Sequence, residues 1–294
     1  MVVVKYRGEG GGPPRRAQLP PRRAQLPPGP KVVLPSLGEF GLALRYHVPA
    51  VHAMAGPKIV MHEPGRECLY PSADALVEVP NAVDRARDKL YCETEERAAL
   101  KNVARARWPD HDVVANCKGL PERRFIPEPH ERYPIGPVDV VVCPRKRVFG
   151  PSKNWQGWTE LTDSLSSRLY VFSAGAPDSS DEVEGPKAWD YPRSLDASVQ
   201  AMLSAKLVVA TDAGLAHLAV LCGVPLLMVT YHGLVAPGRV EHADGKAVGS
   251  AYWPVRLDEY YTSANHTGSL IELIDGWEHV DRVVERALQI VGGT

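Results

Sequence analysis

The sequence predicts an α/β protein made of two halves, each a parallel sheet with helices packed on it, and three observations lead there. The apolar runs are short and continuous rather than alternating, as in strands buried on both faces. Helix-length segments separate successive runs, which is the strand–helix–strand rhythm of parallel sheets. A Pro-rich passage, Pro121 to Pro137, falls between two such series and marks a linker.

In the first series, Lys31 to Leu34, Lys58 to Met61 and Ala75 to Val79 read as strands. A helix is expected from Gly41 to Met54, and Pro49 inside it predicts a kink or an early stop. Asn81 to Arg107 reads as a charged polar stretch, and Asp112 to Ala115 as a further strand. The second series begins with strand Val138 to Cys143 and a helix around Trp158 to Ser166. Strand Leu169 to Ser173, a helix around Ser198 to Ser204 and strand Leu207 to Ala210 follow. A helix from Gly214 to Leu221 and strand Pro225 to Thr230 complete it. Residues 270–291 read as one amphipathic helix with Val280, Val283, Val284, Ala287, Leu288 and Val291 on one face. The expected organisation is a tail over 1–30, an N-terminal half over 31–135 and a C-terminal half over 136–294.

Composition bounds the function classes. The chain has 294 residues, 44% hydrophobic and 23% charged, as in a soluble globular protein. It contains no apolar stretch of the ~18 residues that a membrane span needs. Five cysteines, odd in number and without a C-x-x-C pair, favour neither a disulfide framework nor a zinc site. The start is too short for the apolar region of an export signal, so a reducing, cytoplasmic setting is expected. The 34 basic and 35 acidic residues nearly cancel. Residues 1–31, however, hold seven basic side chains against Glu9 alone, which leaves the other 263 residues at −7. Residues 8–30 contain seven prolines and five glycines, with Arg15 to Pro21 repeated as Arg22 to Pro28. Such a segment is expected to be disordered or extended. It reads either as a phosphate-touching basic arm or as a duplicated linker without a role.

The most informative window is Lys206 to Val229. A buried strand ends at Ala210, Thr211-Asp212-Ala213-Gly214 makes the turn, and a helix begins. Its first N–H groups therefore point out of the carboxyl edge of the sheet, an anion-binding arrangement. Ala213 and Gly214 allow a diphosphate to approach the backbone, Asp212 can cap the helix, and His217 can face the same pocket or serve the core. This window, Asp212-Ala213-Gly214-Leu215-Ala216-His217-Leu218-Ala219 followed by Gly223-Val224-Pro225, resembles glycosyltransferase family 9, the ADP-heptose:lipopolysaccharide heptosyltransferase type. That family has D-[ST]-G-x-x-H-L-A, then G-x-P. Ala213 departs from it by removing one hydroxyl contact to the donor phosphates.

The resemblance implies a GT-B fold: two Rossmann-like domains whose parallel sheets face a central cleft, the last helix packing back on the N-terminal domain. Two more windows match in order. Lys153, before Trp155, takes the place of the family's phosphate-binding basic residue. Gly38-Glu39, in the loop Pro35 to Gly41, takes the place of the acceptor-activating carboxylate; Glu39 reads either as that general base or as a helix N-terminal carboxylate. Gly38-Glu39-Phe40-Gly41, with Arg66-Glu67-Cys68-Leu69-Tyr70-Pro71, resembles a bacterial and phage branch of glycosyltransferase-like proteins. Arg145, Ser173, Gly175, Tyr231 and His232 follow second-half strands and are candidate nucleotide or cleft-lining residues, although a solvated loop or an ordinary turn accounts for them as well.

The implied reaction is metal-independent, inverting transfer of a sugar from a nucleotide-diphosphate sugar, the co-substrate, to an acceptor hydroxyl. No metal and no resident cofactor are expected; Asp110-x-Asp112 lies before a strand of the wrong half. The acceptor is a glycan, a lipid-linked sugar or a hydroxymethylated pyrimidine in phage-type DNA. Rival readings are a non-catalytic nucleotide-binding relative and an epimerase on the same fold. Oligomeric state is not encoded in any motif.

Overall fold

A computed structural model describes residues 29–37, 40–79, 93–117, 120, 123, 125–146, 154–176, 180, 183, 193–211, 213–230, 240–241, 247–248, 271–275, 277 and 279–293. The first sheet comprises β1 (Lys31–Val33), β2 (Lys58–His62), β3 (Ala75–Glu78) and β4 (Asp112–Val114), ordered β3-β2-β1-β4 and parallel throughout. Between β1 and β2 the chain forms α1 (Phe40–Leu42), a π-helical segment (Ala43–His47) and α2 (Val48–Ala53) without a break. The proline effect expected at Pro49 takes this form. Pro49 has no N–H to donate and sits in the first turn of α2, where none is needed, while the wider π turn precedes it. The helix is therefore reshaped there and continues to Ala53.

The charged stretch before β4 contains a helix that apolar periodicity did not announce, α3 (Glu93–Arg107). It touches the sheet mainly through Leu100 and Ala104, against Val32, Leu34 and Met61, so its apolar stripe is too narrow to read.

The second sheet is assembled from β5 (Val140–Cys143), β6 (Val171–Ser173), β7 (Leu207–Ala210) and β8 (Leu226–Thr230). The interleaved helices are α4 (Trp158–Ser166), α5 (Leu195–Ser204) and α6 (Gly214–Cys222). A two-stranded antiparallel ladder, β9 (Val240–Glu241) with β10 (Ala247–Val248), stands apart. The last two elements, β11 (Ile271–Asp275) and α7 (Val280–Gly292), correct the single helix expected over 270–291. Residues 271–275 extend the sheet by pairing in parallel with β8 across five positions, giving the order β11-β8-β7-β5-β6. Ladder bonds to a neighbouring strand outweigh a local helical pattern here.

Both faces of the second sheet are buried, which explains its continuous apolar runs. Val141, Cys143, Val208, Ala210, Leu226 and Met228 join one apolar cluster with α5 and α6. Val140, Val142, Leu207, Val209, Leu227 and Val229 join another with α4 and α7. The buried side of α7, Val283, Ala287, Ile290 and Val291, is occupied by this second cluster. That corrects the expectation that the last helix packs on the first half: its spacing was read correctly, but the partner is α4. The first cluster also contains Val33, Leu44, Val48, Val60 and Val114, so the two sheets share a continuous apolar core on one side.

Candidate functional site

Strand order locates the site. In the first sheet the direction of winding reverses between β1 and β4, and in the second between β5 and β7. Crevices at such reversals, outside the carboxyl ends of the strands, are where open α/β sheets bind ligands. The loops concerned are those after β1, β5 and β7, the same three that the sequence windows single out.

Two of these loops touch. A Cβ built on Gly214, the first residue of α6, would lie 2.5 Å from Cδ1 of Phe40 and 3.3 Å from the backbone N of Gly41. A Cβ on Gly41 would lie 3.0 Å from Cδ2 and 3.2 Å from Nε2 of His217. Absence of a side chain at both positions therefore lets the helix start after β1 meet the helix start after β7. His217 is 4% exposed and lies in this contact, so it serves the junction of the halves. Ala213 is the N-cap of α6 in extended conformation and supplies no side-chain cap; its carbonyl accepts from Ala216 N at 3.0 Å. Thr211, at the end of β7, is buried, and its hydroxyl has no hydrogen-bond partner among the described residues.

The described residues on either side of the loop after β5 are held by buried contacts. Arg145 is buried and donates from Nη1 to Oδ1 of Asn154 at 2.6 Å, so it is not a solvated arginine; Lys146 is exposed. Trp155 is buried and donates its indole N–H to the carbonyl of Trp277 at 3.0 Å, which makes it an anchor of the loop. After β6, Ser173 is buried and Gly175 has φ +140. A Cβ on Gly175 would collide with Ser180, which forms a bridge to Arg145, and would lie 3.8 Å from Leu215 of α6. The structure thus brings Arg145, Ser173, Gly175, Gly214 and His217 to one edge of the second sheet. Glu39, Lys153, Asp212, Tyr231 and His232 lie outside the described residues.

Sequence reasoning missed a buried polar cluster on the first-sheet side. Arg66 holds its guanidinium carbon 5.1 Å from the centre of the Phe40 ring and pairs with buried Glu63 at 2.5 Å. His62 is buried, with Nδ1 2.9 Å from the Glu63 carbonyl and 3.8 Å from Glu67. His47 and His62 both lie beside the Tyr70 ring. Burial pushes the His47 pKa down to about 4, with Arg66 and Arg97 adding repulsion, so this imidazole is neutral. Its Nε2 is buried and has no hydrogen-bond partner among the described residues. Burial likewise lowers His62, against the opposing pull of Glu67 and Glu78, and raises Tyr70. His47 carried no signal beyond a lone histidine ahead of Val-Pro, whereas Arg66 stood in a recognised motif without a role.

Other chemistries find little support. Cys143, at the carboxyl end of β5, is buried and its thiol is pushed well up by desolvation, the opposite of an activated nucleophile. Cys68, Cys117, Cys143 and Cys222 are free thiols. Among the described residues no group of three His, Cys, Asp or Glu side chains is placed to hold a metal ion, and no helix is long and apolar enough to cross a membrane. Asp110 and Asp112 are exposed at the amino end of β4, whereas the site lies beyond the carboxyl ends of the strands.

Two parallel sheets wound in this order, with carboxyl-edge loops in contact, define the GT-B fold. Comparison with solved structures agrees. The chain is similar to E. coli ADP-heptose lps heptosyltransferase II, with a TM-score of 0.50 at 14% identity, over 90% of this chain and 99% of that one. A glycosyl transferase family 9 structure from Veillonella parvula gives 0.48 at 10% identity, over 90% and 97% of the two chains. E. coli heptosyltransferase WaaC with ADP gives 0.45 at 17% identity, over 90% and 100%. The likeness anticipated from the Asp212 to Ala219 window is thus present in the fold. No protein-family model and no curated protein matches the chain.

Proposed function

We propose that the protein is a glycosyltransferase that moves a sugar from a nucleotide-diphosphate sugar to an acceptor hydroxyl without a metal. The observation that carries this is the contact of Phe40 and Gly41 with Gly214 and His217. It brings Phe40 and Gly41, which directly follow Gly38-Glu39 in the chain, against the first turn of α6, and this supports reading Glu39 and the anion cradle as parts of one site. In this reading Glu39 takes the proton from the acceptor hydroxyl as it attacks the anomeric carbon. Lys153, Asp212 and the backbone at Ala213 and Gly214 hold the diphosphate, whose charge grows as the glycosidic bond breaks. Displacement from the face opposite the leaving group gives inversion.

The acceptor is a glycan or lipid-linked sugar, or a hydroxymethylated pyrimidine in DNA. The DNA version draws on the +6 charge of residues 1–31. Incubating the protein with a panel of nucleotide sugars and each acceptor class, followed by mass spectrometry, tests the reading. A mass increase of one sugar on an acceptor supports it, and Glu39→Gln should abolish that increase while leaving nucleotide binding intact. Turnover by Glu39→Gln at the wild-type rate would remove the base assignment. Because α6 has Ala at its N-cap and no side-chain cap there, a non-catalytic nucleotide-binding role is the second reading. Binding of nucleotide sugar with neither transfer nor hydrolysis would favour it.

A further inference from the structure

We propose that Arg66, carried by the first sheet, is a binding residue for the donor diphosphate held at α6 of the second. This rests on the nucleotide-sugar reading above and extends it. The Phe40 ring touches both: its Cδ1 approaches the missing side chain of Gly214, and the Arg66 guanidinium lies 5.1 Å from its centroid. The guanidinium and the first turn of α6 therefore share the Phe40 ring as a neighbour. Glu63 engages it through Nη2, and a guanidinium has five N–H donors in a planar fork, so donors remain for a phosphate oxygen. Buried Glu63 also fixes its direction, which makes Arg66 a preorganised cation rather than a mobile one.

The second half supplies less than the motif implies. Ala213 has no hydroxyl for the phosphates, and Arg145 is tied to Asn154. A cation from the first half makes up for this and has a consequence. Stabilisation of the leaving group then depends on residues from both halves. Because Phe40 follows Glu39 directly in the chain, the same short segment would place the base and support the cation.

The test measures binding of ADP, UDP and GDP and of the matching nucleosides by calorimetry, without acceptor, to the wild-type protein and two variants. Glu63→Gln/Arg66→Gln removes both charges together, leaving no orphaned buried carboxylate. Arg66→Lys keeps the charge and the partner but loses the planar fork. The expected result is at least tenfold weaker diphosphate binding by the double variant, a smaller loss for Arg66→Lys, and unchanged nucleoside binding by both. A merely structural arginine would shift nucleoside and diphosphate together or neither, and either pattern overturns the assignment. Wild-type diphosphate affinity in both variants overturns it too, while leaving the donor reading standing. If the wild type binds none of the three diphosphates, the donor reading falls and this assignment falls with it.

Discussion

A methyl group at Gly41 would sit 3.0 Å from the His217 ring, closer than most real contacts, and one at Gly214 would overlap Phe40 at 2.5 Å. These two glycines thus set how near the acceptor-side loop comes to the donor cradle. Gly41→Ala should push the two helix starts apart by a fraction of an ångström and leave the core of each half intact. Misplacement of about 1 Å near reacting groups lowers rates by roughly 100-fold, so a fall in kcat of about tenfold is expected with donor binding nearly unchanged. Steady-state kinetics alongside donor titration check this, and an undiminished kcat would show that the contact does not position the reaction. His47 makes a separate prediction. Its pKa is about 4 when folded against 6.5 in the open chain. The unfolded state therefore binds more protons between these values, so stability is full above about pH 6.5 and is lost as pH falls toward 4. At ~1.36 kcal/mol per pKa unit the loss approaches roughly 3 kcal/mol at the acid end. Thermal melts of wild type and His47→Gln across that range should show the variant gaining stability relative to wild type as pH falls, because glutamine cannot take up the proton; a difference that does not change with pH would remove His47 as the titrating group.

Helix α5 illustrates how the halves are tied. Ser194 caps it by accepting from Ala197 N at 3.1 Å. One helical turn apart on it, Asp196 accepts from His130 N at 2.8 Å and Glu131 N at 3.3 Å, and Gln200 both accepts from Tyr133 N and donates to its carbonyl. The same connecting stretch reaches the first half through Glu128 N, which donates to the Cys68 carbonyl at 3.1 Å. Asp196→Ala would leave two backbone N–H groups of this connection without their partner. A loss of roughly 1–3 kcal/mol is expected, read as a lower urea midpoint; an unchanged midpoint would mean that water replaces the carboxylate. These ties also show what was legible beforehand. Strands β5, β7 and β8 and helices α4 and α6 were readable because burial on both sides writes itself as continuous apolar runs punctuated by turns. Helix α3 was not, since two small apolar residues suffice to seat it, and β11 was not, since only the neighbouring β8 makes residues 271–275 a strand. At the site, the loop after β7 announced itself through Asp212-Ala213-Gly214. The contacts of Phe40 with Arg66 and with Gly214 did not, because they join residues far apart in sequence through packing alone.

Charge is divided along the chain in a way that separates the two acceptor classes. Residues 1–31 carry +6 and the remaining 263 carry −7, although the total is −1. An acidic body repels a polyanion, so affinity for DNA would have to come from the basic head or from a local patch such as Arg145 to Arg147. Of that patch Arg145 is buried and bonded to Asn154, which leaves Lys146 as its exposed described cation. The head therefore dominates any phosphate contact. Each phosphate neutralised releases about 0.9 counterion, so the net +5 of residues 1–30 gives affinity that falls steeply with salt. Removing residues 1–30 should abolish DNA binding and its salt dependence if DNA is the acceptor, and should leave transfer to a small glycan acceptor within about twofold if it is not. The deletion spares Lys31 but removes Gly29, one of the two carbonyls to which its Nζ donates; the bond to the Ala55 carbonyl at 2.9 Å remains to hold the ammonium at the end of α2. Gel-shift titrations at two ionic strengths, run beside the glycan assay on both forms, decide between the acceptors. Equal DNA affinity with and without the head would exclude the arm as the DNA-binding element, and affinity that changes with neither salt nor truncation would remove the DNA acceptor.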